Sequence, residues 1–73
     1  MEKYEWTTWN GYEIKLTVSK NLNGLKLESF ELDGQVIPAE FEISNGQEVN
    51  FMFEEQNSAV EIPENLYTEM LAN

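Results

Sequence analysis

Glutamates are the residues of this chain that come closest to forming a chemical site. Glu40 and Glu42 are two positions apart in an extended segment, so they share a strand face at a spacing of roughly 6.7 Å. A hairpin through 44–46 would place Glu48 opposite Glu42. Carboxylates at such separations can act as the acid/base pair of a glycosidase or bind hard cations.

Other features of the sequence argue against catalysis. The chain has no histidine, cysteine or arginine, so the commonest acid/base group, thiolate and oxyanion clamp are missing. A working carboxylate pair also needs a pocket that raises one pKa, whereas this strand face is expected to be solvated. Phosphate-loop, nucleophile-elbow and EF-hand spacings do not occur. We therefore predict a protein that is not an enzyme and that has no cofactor or metal site.

The charges are distributed unevenly along the sequence. All four basic residues are lysines that precede residue 27, and residues 27–73 carry eleven carboxylates and no base. The net charge is −10, and like charges held on a small domain repel one another at a cost in stability. Two interpretations stay open: a solvated face that keeps the protein soluble, or a recognition surface for a basic partner.

Carboxylates arrayed on a rigid scaffold can imitate the phosphates of a nucleic acid. The recognition reading predicts a non-enzymatic inhibitor or antitoxin-like protein that binds a basic, nucleic-acid-handling protein. In small size, acidity and lack of catalytic residues, the chain is similar in general terms to phage-encoded inhibitors that mimic DNA and to immunity proteins that neutralise nucleases. This likeness is compositional and assigns no residue a role. The predicted partner-binding residues are Glu40, Glu42, Glu48, Glu54, Glu61 and Trp9.

Two other classes of function are alternatives. A structural or assembly module would oligomerise or add a strand to a partner through an exposed sheet edge, with Trp9, Leu25 and Leu27 as contacts. A carbohydrate-binding module would use an aromatic platform of Tyr4, Trp6 and Tyr12. For Trp9, which lies in a predicted turn, the alternatives are a ring clamped over the sheet edge and an interface anchor.

The turns predict an antiparallel meander. Each of the four glycines follows an asparagine or aspartate, the strongest short-range hairpin signal. The pairs predicted from three-residue loops at 9–11, 22–24 and 44–46 are Trp6 with Ile14, Leu16 with Phe30, and Phe41 with Val49. The turn at 33–34 is ambiguous, and Pro38 predicts a bulge or bend because it lacks a backbone donor.

These signals predict an α+β fold in one domain, 1–73, with a meander over about 2–62 and a C-terminal helix over about 63–72 that packs on the sheet. A small, partly open β-barrel is the alternative. Helix contacts are expected from Leu66, Tyr67, Met70 and Leu71. The predicted strands are 2–8, 12–20, 25–32, 35–43 and 47–54, with a sixth at 59–62 left open. The predicted apolar face holds Tyr4, Trp6, Ile14, Leu16, Val18, Phe30, Phe41, Val49, Phe51 and Phe53.

Composition also bears on location and partners. A cysteine-free small domain without a basic-then-apolar leader is expected in a reducing cytoplasm. The longest apolar run is three residues, so a membrane span is not expected. Direct binding of nucleic acid or of anionic lipid is also disfavoured by the negative charge.

Overall fold

A computed structural model describes residues 1–22, 24–42 and 47–72 and shows two antiparallel sheets and one helix. Sheet A contains β1 (Glu2–Thr7), β2 (Glu13–Asn21), β3 (Gly24–Leu32) and β4 (Gln35–Val36), in that order. Sheet B contains β5 (Ala39–Glu42), β6 (Glu48–Phe53) and β7 (Gln56–Glu61), and α1 (Glu64–Ala72) follows. The predicted α+β class is confirmed, whereas the described strands number seven rather than five or six.

The first hairpin has the predicted register. Trp6 lies opposite Ile14, and the backbone N–H of Thr8 donates to the carbonyl of Tyr12 at 2.8 Å. Gly11 has a φ of 93°, the left-handed conformation that closes a three-residue loop. The loop residue type therefore fixed the pairing of β1 with β2.

The second hairpin differs from the prediction near its turn. Asn21 pairs with Gly24, which is a shorter connection than the predicted loop; Asn23 itself lies outside the described residues. At the step from Thr17 to Val18 the register then shifts by one residue, because a bulge gives β3 an extra residue, Glu28, between the partners Ser29 and Leu27. The predicted pair of Leu16 with Phe30 is recovered beyond the bulge.

This bulge also explains why two leucines of β3 do not follow the side-chain alternation that buries Phe30. Leu25 and Leu27 fall out of phase with Phe30 along β3, yet both pack against the core. An extra residue in one strand reverses the side-chain phase on either side of it. The bulge therefore lets one strand bury apolar residues of both parities.

A corner at Ile37–Pro38 divides the predicted strand 35–43 into β4 and β5. The N–H of Ile37 donates to the carbonyl of Phe30 at 2.9 Å, and the Ile37 side chain is buried. Pro38 cannot continue the ladder, which confirms the expected bend. The corner folds sheet B against sheet A, so the rings of Phe30 and Phe51 lie 5.0 Å apart between centroids.

The last hairpin has a turn that the sequence does not signal with glycine. Glu54 and Glu55 both adopt positive φ, 51° and 66°, and join Phe53 directly to Gln56. This is the conformation of a two-residue hairpin loop that asparagine and glycine usually adopt. The sixth predicted strand, 59–62, is therefore a full strand that begins at Gln56.

The helix completes the core. Its Met70 is 1% exposed, and Leu66 and Tyr67 are partly buried against the same cluster. The expected contact from Leu71 is wrong, because that side chain is 49% exposed. The ammonium of Lys20 on β2 donates to the carbonyl of Leu71 at 2.6 Å and so satisfies an acceptor at the helix C-terminus. The buried core is Tyr4, Ile14, Leu16, Val18, Phe30, Leu32, Ile37, Val49, Ile62 and Met70.

The core thus contains six members of the predicted apolar face, and the other four, Trp6, Phe41, Phe51 and Phe53, pack around it. In the strands that the structure describes, β1 and β7 each have one neighbour, so no closed barrel forms. α1, the helix of the described part of the chain, is too short to cross a membrane.

Candidate functional site

The lysines lie in sheet A, away from most of the carboxylates. Lys15 is 3.7 Å from a carboxylate oxygen of Glu5, and Lys26 is 3.5 Å from one of Glu28. Both pairs are within sheet A and at its surface. Lys20 contacts the helix, and Lys3 lies on β1. All four lysines of the chain are therefore on the strands of sheet A.

Sheet B carries carboxylates without any base on its strands. The ladder pairs Glu42 with Glu48 and Glu48 with Glu61, so one cross-strand row holds a glutamate on each of three adjacent strands. The predicted pairing of Glu42 with Glu48 is confirmed. Glu40 lies opposite Asn50 in the next row.

Strand alternation places Glu48 and Glu61 on the outer side of sheet B. Val49 is fully buried and Phe51 contacts the ring of Phe30, so both face sheet A. Side chains alternate along a strand, so Glu48 and its directly opposed neighbour Glu61 project from the other face. We call Glu40, Glu48 and Glu61, with the backbone position of Glu42, the acidic face.

The like charges in this row are close together. The N–H of Ile62 donates to the carbonyl of Gln47 at 2.9 Å, so the next pair, Glu48 and Glu61, is of the non-hydrogen-bonded type. In such pairs the Cα atoms are about 4.5 Å apart and the side chains are closer than elsewhere in the ladder. Like charges directly opposed in a sheet are destabilising.

The remaining predicted site residues lie elsewhere. Glu54 is in the turn after β6, six residues beyond Glu48, or about 20 Å along the strand direction. Trp9 is at the tip of the first hairpin and is 97% exposed, so the first of its two alternatives, a ring clamped over the sheet edge, is wrong. The structure therefore brings together the acidic face and leaves Glu54 and Trp9 outside it.

A groove that the sequence does not reveal lies between the first hairpin and β7. Its volume is about 710 Å³, within the range of ligand pockets. The acidic face reaches it, because Glu48 of β6 and Glu61 of β7 are among its lining residues. Its aromatic lining residues are Trp6, Trp9 and Tyr12 from the hairpin and Phe51 and Phe53 from β6. We call this space the edge groove.

The described residues contain no group of three or more acidic side chains placed to hold a metal ion. Comparison with known proteins found no matching family model, curated protein or solved structure. The acidic face and the edge groove are the two surface features of the described residues that could bind a partner.

Proposed function

We propose that this chain is a small, non-enzymatic acidic binding protein that engages a basic, nucleic-acid-handling protein through its acidic face. The observation that carries the proposal is the row of Glu42, Glu48 and Glu61 across three paired strands, on a sheet whose strands hold no base. A sheet holds such positions at a fixed spacing, which suits a partner whose lysines and arginines are also fixed.

The arrangement favours recognition over solubility alone. Solubility requires net charge, which could be dispersed over the surface without opposing Glu48 directly to Glu61. The fold instead places repelling side chains in one ladder, at a cost in stability, and places its lysines on the other sheet. A basic partner would convert this repulsion into complementarity, which speeds association and sets specificity.

The class of partner follows from the sign and the order of the charge. A protein that binds nucleic acid presents rows of cationic side chains that neutralise phosphates. A carboxylate row that occupied those side chains would exclude the nucleic acid, so the expected effect is inhibition. This part of the proposal matches the inhibitor or antitoxin-like role expected from composition.

The test begins with capture and ends with a defined competition. The immobilised protein is exposed to lysate at low salt, proteins released by a salt step are identified, and each is purified. Each purified protein is then bound to a fluorescent DNA duplex, and this chain is added to the complex in increasing amounts. Release of the duplex is the expected result, and the apparent affinity should fall steeply with added salt.

Two double variants of equal net charge separate the acidic face from charge in general. Glu48→Lys/Glu61→Lys alters the face, and Glu2→Lys/Glu13→Lys alters exposed positions of sheet A; each reversal adds two charges, so both doubles go from −10 to −6. We expect the first to weaken competition at least about tenfold and the second to have a much smaller effect. Equal losses in the two doubles, or binding that salt does not change, would contradict the proposal.

A further inference from the structure

The edge groove is bordered by two strand edges that lack a partner strand. In the described part of the sheets, β1 pairs with β2 alone and β7 pairs with β6 alone. Residues of both edges line the groove, Thr7 from β1 and Ala59 and Glu61 from β7. An unpaired edge presents backbone N–H and C=O groups that can pair with another chain.

The hydrogen-bond pattern shows which backbone groups of β7 point into the groove. Pairs in an antiparallel ladder alternate between those that exchange backbone hydrogen bonds and those whose groups point away. The bond from Ile62 to Gln47 makes Glu61 a residue of the second kind, and alternation makes Ala59 another. Their N–H and C=O groups are therefore directed away from β6, toward the groove.

The edge of β1 across the groove has backbone groups in the same orientation. The bond from Thr8 to Tyr12 makes the next pair, Thr7 with Glu13, the non-hydrogen-bonded type. The backbone groups of Thr7 therefore point away from β2. Both borders of the groove thus offer backbone donors and acceptors in the orientation that an added strand requires.

The side chains around the groove indicate which kind of strand would fit. Trp9 is almost fully exposed and Tyr12 is partly exposed, so both rings are available for contact. Ring faces attract ammonium and guanidinium groups, and Glu48 and Glu61 add negative charge on the opposite side. A cationic side chain at the groove would therefore lie near the aromatic rings of the first hairpin and near the strand pair that carries Glu48 and Glu61.

We propose that the edge groove binds an extended segment of a partner polypeptide, which adds as a strand to β7 and carries lysine or arginine side chains toward Trp9, Tyr12 and Glu61. This mode of recognition takes affinity from main-chain hydrogen bonds and specificity from alternate side chains. The two proposals share Glu48 and Glu61, whereas the strand edges and aromatic side chains of the groove lie outside the acidic face.

Two other occupants fit the observations less well. A second copy of this chain would bring a net charge of −10 against Glu48 and Glu61, which is unfavourable. A sugar would stack on Trp9 or Tyr12 but would leave the regular backbone groups of Ala59 and Glu61 without matching partners. A cationic polypeptide satisfies both the backbone groups and the charge.

The first experiment uses a synthetic peptide of alternating lysine and valine, with its ends blocked and a fluorescent label. We expect saturable binding, measured by fluorescence anisotropy, accompanied by a change in tryptophan emission. Two further peptides carry N-methyl groups on alternate amides, one on each parity. At least one should bind about tenfold more weakly, since each lost backbone hydrogen bond removes part of the affinity. Equal binding of all three peptides would overturn strand addition.

Variants of the protein provide the second experiment. Ala59→Pro removes an N–H that points into the groove without removing a donor to β6, so it should weaken peptide binding while the melting temperature changes little. Glu40→Lys changes the acidic face but not the groove lining, so it should leave peptide binding unchanged while weakening the binding of a basic protein. The two proposals can therefore fail separately.

Three further results would refute the choice of occupant. A glutamate–valine peptide that binds as well as the lysine–valine peptide would exclude the role of charge. Concentration-dependent dimerisation, abolished by Ala59→Pro, would show that a second copy fills the groove. A tryptophan emission change with oligosaccharides and none with the lysine–valine peptide would assign the groove to carbohydrate.

Discussion

The opposed carboxylates of Glu48 and Glu61 give a prediction in which stability and binding change in opposite directions. Glu61→Lys replaces a like-charge pair by an opposite-charge pair at a non-hydrogen-bonded position, where side chains are closest. Cross-strand charge pairs contribute roughly 0.2–1 kcal/mol, and the substitution both removes a repulsion and adds an attraction. The expected gain in the free energy of unfolding is therefore about 1 kcal/mol.

The assay is thermal unfolding followed by circular dichroism and by tryptophan fluorescence. For a domain of this size, a gain of about 1 kcal/mol raises Tm by roughly 4–8 °C. The measurement is made at about 10 mM and at about 1 M salt, where the Debye lengths are ~30 Å and ~3 Å. The gain should be largest at low salt and should shrink at high salt, because the groups are at the surface.

Two single-charge changes serve as controls. Glu61→Gln and Asn57→Lys both make the net charge one unit less negative and both lie on β7, but Asn57 faces Met52 rather than a carboxylate. If the pair itself is repulsive, Glu61→Gln should raise Tm more than Asn57→Lys. If Glu61→Lys leaves Tm unchanged or lowers it at low salt, Glu48 and Glu61 do not repel each other enough to destabilise the fold. The same substitution should weaken binding of a basic partner even though it stabilises the fold.

Three other substitutions test the fold that positions these surfaces. Glu54→Asn/Glu55→Gly should raise Tm by several degrees, because left-handed backbone costs an ordinary L-residue about 1 kcal/mol and asparagine and glycine favour this turn. An unchanged Tm in thermal melts would contradict this expectation. Met70→Ala should lower the free energy of unfolding in urea by about 2–4 kcal/mol, since the side chain is buried and leaves a cavity; a loss below about 1 kcal/mol would show that the helix is not docked as described. Lys20→Met keeps most of the aliphatic stem but removes the donor to the carbonyl of Leu71, so it should lower the free energy of unfolding by about 1 kcal/mol in the same titration. An unchanged free energy of unfolding would mean that water replaces the ammonium.

Local chemistry allowed much of the meander to be predicted from sequence. Gly11 after an asparagine specified both the loop length and the register of the first hairpin, because few residues accept a φ of 93°. Pro38 similarly predicted the bend between the sheets. The turn at Glu54–Glu55 could not be predicted in this way, since two glutamates give no conformational signal and the pairing of β6 with β7 imposes their backbone angles.

The two candidate surfaces differ in how far they could be predicted. The acidic face follows from alternation and hairpin register, so placing Glu40, Glu42 and Glu48 on one face needed only local rules. The edge groove joins Trp9 to Glu61, which are far apart in sequence, and it exists because the corner at Ile37–Pro38 turns sheet B over sheet A. The angle between the two sheets leaves no periodic pattern in the sequence. Trp9 could therefore be predicted as a contact residue, but the residues around it in the groove could not.

The acidic face and the edge groove share two residues, and this gives a reason for their position on the sheet. Glu48 and Glu61 lie both in the outer carboxylate row and along the groove. A strand added to β7 would extend that row by one position, and a cationic residue there would be directly opposite Glu61 on the new ladder. The repulsion between Glu48 and Glu61 would then be relieved by the same side chain that completes the edge. Binding of the lysine–valine peptide should consequently stabilise wild-type protein more than the Glu61→Lys variant at equal occupancy of the groove, and thermal melts with and without saturating peptide would measure the difference.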